Sequence, residues 1–317
     1  MGKTNFKDLT TLKVGGKIKY FREISSEEEL IKAVGFAKTN NLPIFILGGG
    51  SDIAPSDKDF NGLVIKYTAD TIKISKNTIT ADAGVVWDDL VLFSVKNNLQ
   101  GLECLSGIPG TVGAAPIQNI GAYGQELSDS FVSLRAYDIE NEMFKIFDKK
   151  ECKFGYRDSI FKSKKYWQKF VITKITFSLK EYNDSEVSLQ NIRDEILRTR
   201  SEKLVNPLKI PNAGSFFKNP IVKKNTKNTL VARYPDIVIY PLNNEYKISA
   251  GWLIEKAGWK GKSLGPVKVS DKHALVLTNP EGKGNFSDIK KLADVIISDV
   301  YEKFNIRLEP EVQYINF

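Results

Sequence analysis

The chain has 317 residues, which suggests two domains at ~100–200 residues each, and with 42% apolar and 26% charged residues it has a globular rather than a disordered composition. A single histidine, His273, and two cysteines, Cys104 and Cys152, exclude a His-based or Cys-rich metal centre and a disulfide framework. The net charge of +8, from 46 basic and 38 acidic residues, implies anionic partners without choosing among nucleic acid, nucleotide cofactor and phosphorylated substrate.

In chain order, the first segment, through Leu12, lacks the apolar stretch of a secretory signal. Ser25-Ser26-Glu27-Glu28 forms a capping box that opens a helix with Leu30, Ile31, Val34 and Ala37 on its apolar side. A buried strand, 43–47, then runs into Gly48-Gly49-Gly50-Ser51-Asp52. Strands follow at 63–67, 71–75 and 78–81, and a helix at 87–97. A Gly-rich tract leads to a hairpin pair at 131–137 and 142–147, and then to a strand at 170–179.

A charged helix, 188–203, carries Ile192, Ile196 and Leu197 as its apolar stripe. Asn206-Pro207 and Ile210-Pro211 mark a boundary after it. The helix 286–304 is the clearest of the chain, with Ser287 as its expected cap. Strands and helices do not alternate strictly, so the pattern favours α+β over a doubly wound parallel sheet. No apolar run approaches the ~18 residues of a membrane span. Together with the cysteine content this leads us to expect a cytoplasmic protein.

Two tracts suit a phosphorylated ligand. Gly48–Gly50 directly after a strand lets peptide N–H groups approach an anion with no Cβ between, although neither G-x-G-x-x-G nor the P-loop pattern is present. Between Gly107 and Gly124 lie five glycines and two prolines, a density that implies prolonged close contact of backbone with a flat or phosphorylated ligand. Within the basic stretch 153–169, Tyr156–Trp167 interleaves aromatic and basic residues and is the one candidate for nucleic acid, and it also contains Tyr156-Arg157-Asp158-Ser159.

These residues carry a resemblance. Gly48–Asp52, the tract Gly107–Gly124, Phe154-Gly155-Tyr156-Arg157-Asp158-Ser159, Asn212-Ala213-Gly214-Ser215-Phe216-Phe217-Lys218-Asn219-Pro220 and Leu308-Glu309-Pro310-Glu311-Val312 occur in the order found in the UDP-N-acetylenolpyruvoylglucosamine reductase (MurB) family. The resemblance covers nearly the whole chain. It implies an α+β fold with a two-lobed FAD-binding domain of the PCMH type over residues 1–187 (lobes about 1–68 and 69–187) and a smaller α/β substrate-binding domain over 188–317. It also implies NADPH-driven reduction of a UDP-sugar through FAD, with no metal, no nucleic-acid or membrane partner, and a monomer. The alternative is an FAD-linked oxidase of the same fold group.

By the same resemblance Ser215 is the proton donor, Arg157 the carboxylate-binding arginine and Glu311 the catalytic glutamate. Gly48, Gly49, Gly50, Ser51, Asp52, Pro109, Gly110, Thr111, Gly113, Ala114 and Gly121 take the flavin. Tyr123, Lys203, Asn219 and His273 take the substrate. The sequence is similar to the type I subgroup, but only residues 180–188 fill the place of that subgroup's tyrosine-bearing loop.

Overall fold

Ser26 caps the first long helix, Glu27–Thr39, its Oγ accepting from the Glu29 N–H at 3.1 Å. The expected box does not close on the cap residue: the Glu29 carboxylate accepts instead from the N–H of Ser25, one residue before the cap, at 2.8 Å. The buried face is Leu30, Ala33, Val34 and Ala37, while Ile31 points to solvent. The structure is a computed structural model and describes residues 4–184, 186–242 and 244–316.

Two compact units are present. The first takes Ile18–Gly50 and Phe60–Glu202; the second takes Asn5–Lys17, Ser51–Asp59 and the chain from Lys203 on. Where the sequence suggested a single cut at 187/188, the charged helix stays with the first unit, and two N-terminal segments belong to the second.

In the first unit, Ile18–Ile24, Phe60–Tyr67 and Ile44–Leu47 form a parallel sheet with Phe60–Tyr67 in the centre. Leu63, Val64 and Ile65 are buried in succession, as expected of a strand covered on both faces. A five-stranded antiparallel sheet runs Met143–Asp148, Phe131–Asp138, Phe170–Ser178, Thr78–Asp82, Ile72–Ser75. Both sheets share one core with the helices Glu27–Thr39 and Trp87–Lys96, through Leu30, Leu63, Ile79, Trp87 and Phe177.

The charged helix, Leu189–Lys203, differs from its expected stripe. Ile192, Ile196 and Leu197 are only half-buried, whereas Leu189 and Arg193 are buried. The reason is a forked ion pair: Arg193 donates to both carboxylate oxygens of Asp88, at 2.7 and 2.6 Å. The same carboxylate accepts the Gly107 N–H at 2.6 Å. Burial raises the Asp88 pKa, but Arg193 and the Gly107 amide outweigh it and hold the carboxyl below its ordinary value.

In the second unit, Asn212–Ser215, Val276–Thr278, Val267–Val269 and Ser263–Leu264 form an antiparallel sheet. The helix Phe286–Phe304 buries Ile289, Leu292, Ala293, Ile296 and Val300 in the unit's core. Its cap is Asn285, not Ser287: the Asn285 side-chain Oδ1 accepts from the Asp288 N–H at 2.9 Å, and the Asp288 carboxylate accepts from the Asn285 N–H at 3.0 Å. Ser287 lies inside the first turn, where Asp57 accepts the Phe286 N–H at 2.8 Å and the Ser287 N–H at 3.2 Å. Among the described residues no helix is long and apolar enough to cross a membrane.

Candidate active site

Gly48–Gly50 leave the end of the strand Ile44–Leu47, and the Gly-rich tract comes back against them. A Cβ on Gly49 would lie 2.8 Å from the Gly110 Cα, and one on Gly48 would lie 2.8 Å from the Ala114 Cβ and 3.2 Å from the Thr111 Oγ1. A Cβ on Gly113 would lie 2.6 Å from the Ala83 Cβ. At Gly49 the two tracts therefore meet backbone to backbone, and at Gly48 the Ala114 and Thr111 side chains take the space a Cβ would need.

The second tract is held from behind. The Trp87 N–H donates to the Gly110 carbonyl at 3.0 Å, the Val112 N–H to Val85 at 2.9 Å and the Gly113 N–H to Ala83 at 2.9 Å. Pro109, before Gly110, is exposed. Gly48, Gly49, Gly110 and Thr111 are half-buried and carry little side chain, so this cradle would admit the close approach of FAD to the backbone. Gly48 and Gly49 come together there with Gly110, Thr111 and Ala114, while Gly113 packs on Ala83; Ser51 and Asp52 continue the chain into the second unit, where the Asp52 carbonyl accepts the Gln313 N–H at 3.0 Å.

Further along, Gly121–Ala122 and Gln125–Glu126 form a short hairpin with Tyr123 at its tip. Tyr123 holds a left-handed φ of 49° and is exposed. Arg157 also holds a left-handed φ, 53°, and its Nη2 donates to the Gly121 carbonyl at 2.6 Å. Gly121, Tyr123 and Arg157 thus belong to one group.

Sequence reasoning missed Arg193 and Arg200. Burial pushes the Arg200 guanidinium down from its usual pKa, against opposing effects from Tyr123 and Asp88. A Cβ on Gly107 would lie 3.2 Å from the Arg200 Nε. The available signal was their spacing of seven, which puts both arginines on one side of a helix.

In the second unit, Ser215 ends the strand Asn212–Ser215 and pairs with Val276. The buried Asn212 side chain shapes the approach: its carbonyl accepts the Gly214 N–H at 2.9 Å, and its amide donates to the carbonyls of Ile210 at 2.8 Å and Val205 at 3.2 Å. Gly214 has φ 71°, where only glycine is unstrained.

After Ser215 the chain meets the C-terminal motif. Phe217 bridges to Pro310, the Glu311 N–H donates to the Phe216 carbonyl at 2.8 Å, and the Lys218 N–H donates to the Glu309 carbonyl at 2.9 Å. Ser215 and Glu311 are thereby brought together. The Glu309 side chain is exposed, with Lys218 Nζ 4.0 Å away, while Glu311 is half-buried. The Asn219 side-chain Oδ1 accepts the Ala250 N–H at 2.9 Å, at the start of the helix Ala250–Lys256.

His273 lies in the turn before the strand that pairs with Ser215, and its Nδ1 accepts the Leu275 N–H at 3.2 Å. Burial, then the charges of Lys260 and Lys203, hold its pKa below the ordinary 6.5. The ring is therefore neutral at pH 7, with the proton on Nε2. The unfolded chain takes up this proton as pH falls through 6.5, while the folded chain resists it. The contribution to stability is complete above that pH and is lost progressively below it. We expect the melting temperature of the wild type to fall more than that of His273→Gln when pH drops from about 7.5 to about 5.5; equal falls would refute the assignment.

The cradle and the fold define a flavin-binding oxidoreductase in which a second unit follows the FAD-binding one. Residues 18–146 match the FAD binding domain family, and residues 206–315 match the UDP-N-acetylenolpyruvoylglucosamine reductase, C-terminal domain. The chain is 39% identical to the UDP-N-acetylenolpyruvoylglucosamine reductase of Ralstonia nicotianae and 40% identical to that of Bdellovibrio bacteriovorus, in each case over 95% of both chains. The crystal structure of UDP-N-acetylenolpyruvylglucosamine reductase (MurB) from Thermus caldophilus superposes with a TM-score of 0.74 at 25% identity, covering 99% of this chain and 98% of that one. The chain belongs to the UDP-N-acetylenolpyruvoylglucosamine reductase family.

Proposed function

We propose that the protein reduces UDP-N-acetylglucosamine enolpyruvate to UDP-N-acetylmuramate, with NADPH as reductant, in the synthesis of peptidoglycan precursors. The observation that carries this reading is that one chain holds both matches, to the FAD-binding domain at 18–146 and to the reductase's C-terminal domain at 206–315. When bound, FAD supplies the redox step between NADPH and the enolpyruvyl double bond. The +8 charge suits three multiply anionic ligands. The protein works as a monomer in the cytoplasm.

Hydride addition to one carbon of the double bond leaves carbanion-like charge on its neighbour, delocalised toward the substrate carboxylate. Arg157 holds that carboxylate through its planar fork. Ser215 donates the proton to the carbon. A hydroxyl is a poor acid in water and serves only in a dry, fixed position. The buried rings of Phe216 and Phe217 directly after Ser215 support such a position. Glu311 polarises or relays the proton from beside it. Lys203 binds the diphosphate as a point charge, Asn219 and Tyr123 contact the substrate, and His273 donates from Nε2.

The protein is a type I enzyme with a short substrate loop. Tyr182 does not replace the missing tyrosine: its hydroxyl donates to the Val187 carbonyl at 2.6 Å, within the shortened segment.

The purified protein should be yellow, bleach with NADPH in the absence of oxygen, and recover its colour when the enolpyruvyl substrate is added. A colourless preparation that does not take up FAD overturns the reading. Bleaching by an alcohol but not by NADPH would instead indicate an FAD-linked oxidase.

A further inference from the structure

Asn119 holds a left-handed φ of 47°, as Arg157 does at 53°. Asn119 is 1% exposed, and its side chain bonds in three directions. The amide donates to the Glu126 carboxylate at 2.8 Å and to the Gly155 carbonyl at 3.1 Å, and the side-chain carbonyl accepts the Ser128 N–H at 2.9 Å.

Gly155 closes the turn that carries Arg157: its N–H donates to the Asp158 carbonyl at 3.0 Å, and the Asp158 N–H returns to the Gly155 carbonyl at 3.2 Å. Two residues after Asn119, the Gly121 carbonyl accepts from the Arg157 Nη2 at 2.6 Å. A Cβ on Gly121 would lie 3.1 Å from the Arg157 Nη1. The segment 119–121 therefore grips the arginine at both ends. The Asn119 amide fixes the backbone of its turn, and the Gly121 carbonyl fixes its guanidinium.

We infer that Asn119 is a positioning residue that sets the guanidinium of Arg157 for the substrate carboxylate. The inference rests on the carboxylate-binding role proposed for Arg157. Asparagine suits the position because it tolerates left-handed backbone and offers two donors and an acceptor on one short side chain. Aspartate would lose both donors and face the Glu126 carboxylate.

The test uses the FAD-loaded enzyme and four variants: Asn119→Gly, which tolerates the backbone but lacks the amide, Asn119→Asp, Arg157→Ala, and the double variant that joins Asn119→Gly to Arg157→Ala. In anaerobic rapid mixing, Asn119→Gly should slow flavin reoxidation by the enolpyruvyl substrate by about 10²-fold, as misplacement of a binding group by ~1 Å does. Reduction by NADPH should stay within about twofold, and in the Arg157→Ala background the Asn119 change should add less than about twofold. A normal reoxidation rate, equal loss of both half-reactions, or effects that multiply in the double variant would each overturn the inference. If Arg157→Ala alone reoxidises normally, the carboxylate reading falls instead. Should Asn119→Gly fail to fold, as judged by its melting and flavin content, Asn119→Asp gives the same readouts.

Discussion

Ser215→Ala should slow reduction of the enolpyruvyl substrate by about 10²–10⁴-fold, the range of a lost general acid, while anaerobic bleaching by NADPH stays within about twofold. The two half-reactions separate because the first requires no proton from Ser215. The substitution removes one oxygen and leaves the carbon skeleton in place. The pairing with Val276, the left-handed Gly214 before it and the buried rings after it do not depend on the hydroxyl. Stability should therefore change by less than about 1 kcal/mol. Rapid-mixing traces of each half-reaction check the result, and equal loss in both would show that Ser215 is not the proton donor.

What could be read from the sequence follows the range of the interaction that decides each feature. The strand Phe60–Tyr67 was legible only from Leu63 on, where its apolar run and its burial are the same fact. The cap of the last helix was misplaced by two residues because Asn285 and Ser287 both suit a cap, and Asp57, far away in sequence, takes the Phe286 and Ser287 amides. Arg193 was missed because a charged helix reads as solvated. Its burial depends on the forked pair with Asp88, 105 residues earlier.

The candidate site divides the same way. The glycines and motif residues were visible in the sequence, and the resemblance gave them roles. The grouping of Ser215 with Glu311 comes from the bridge between Phe217 and Pro310, a contact that no local pattern encodes. Asn119 had no signal either, since an asparagine in a Gly-rich loop looks like turn chemistry until its amide is seen to hold Gly155.

Gly49→Ala tests the cradle itself. The added methyl would sit 2.8 Å from the Gly110 Cα, 3.3 Å from its carbonyl carbon and 3.6 Å from its nitrogen. All three are backbone atoms, so no side chain can swing aside. Gly110 cannot retreat easily, because its carbonyl accepts from the N–H of Trp87, whose ring is buried against Phe177 and whose indole N–H donates to the Leu105 carbonyl at 3.0 Å. The two tracts must instead part, which costs about 1–3 kcal/mol. That energy is lost from cofactor binding and should weaken FAD affinity by a factor of roughly ten to a hundred. The control is Gly35→Ala, in the helix Glu27–Thr39, where a Cβ meets nothing within 4 Å. That change should stabilise the protein by about 0.5–1 kcal/mol with no loss of flavin. Flavin content after desalting and titration of the apoprotein with FAD separate the two variants. If Gly49→Ala binds FAD as the wild type does, the approach of the two tracts is not what holds the cofactor.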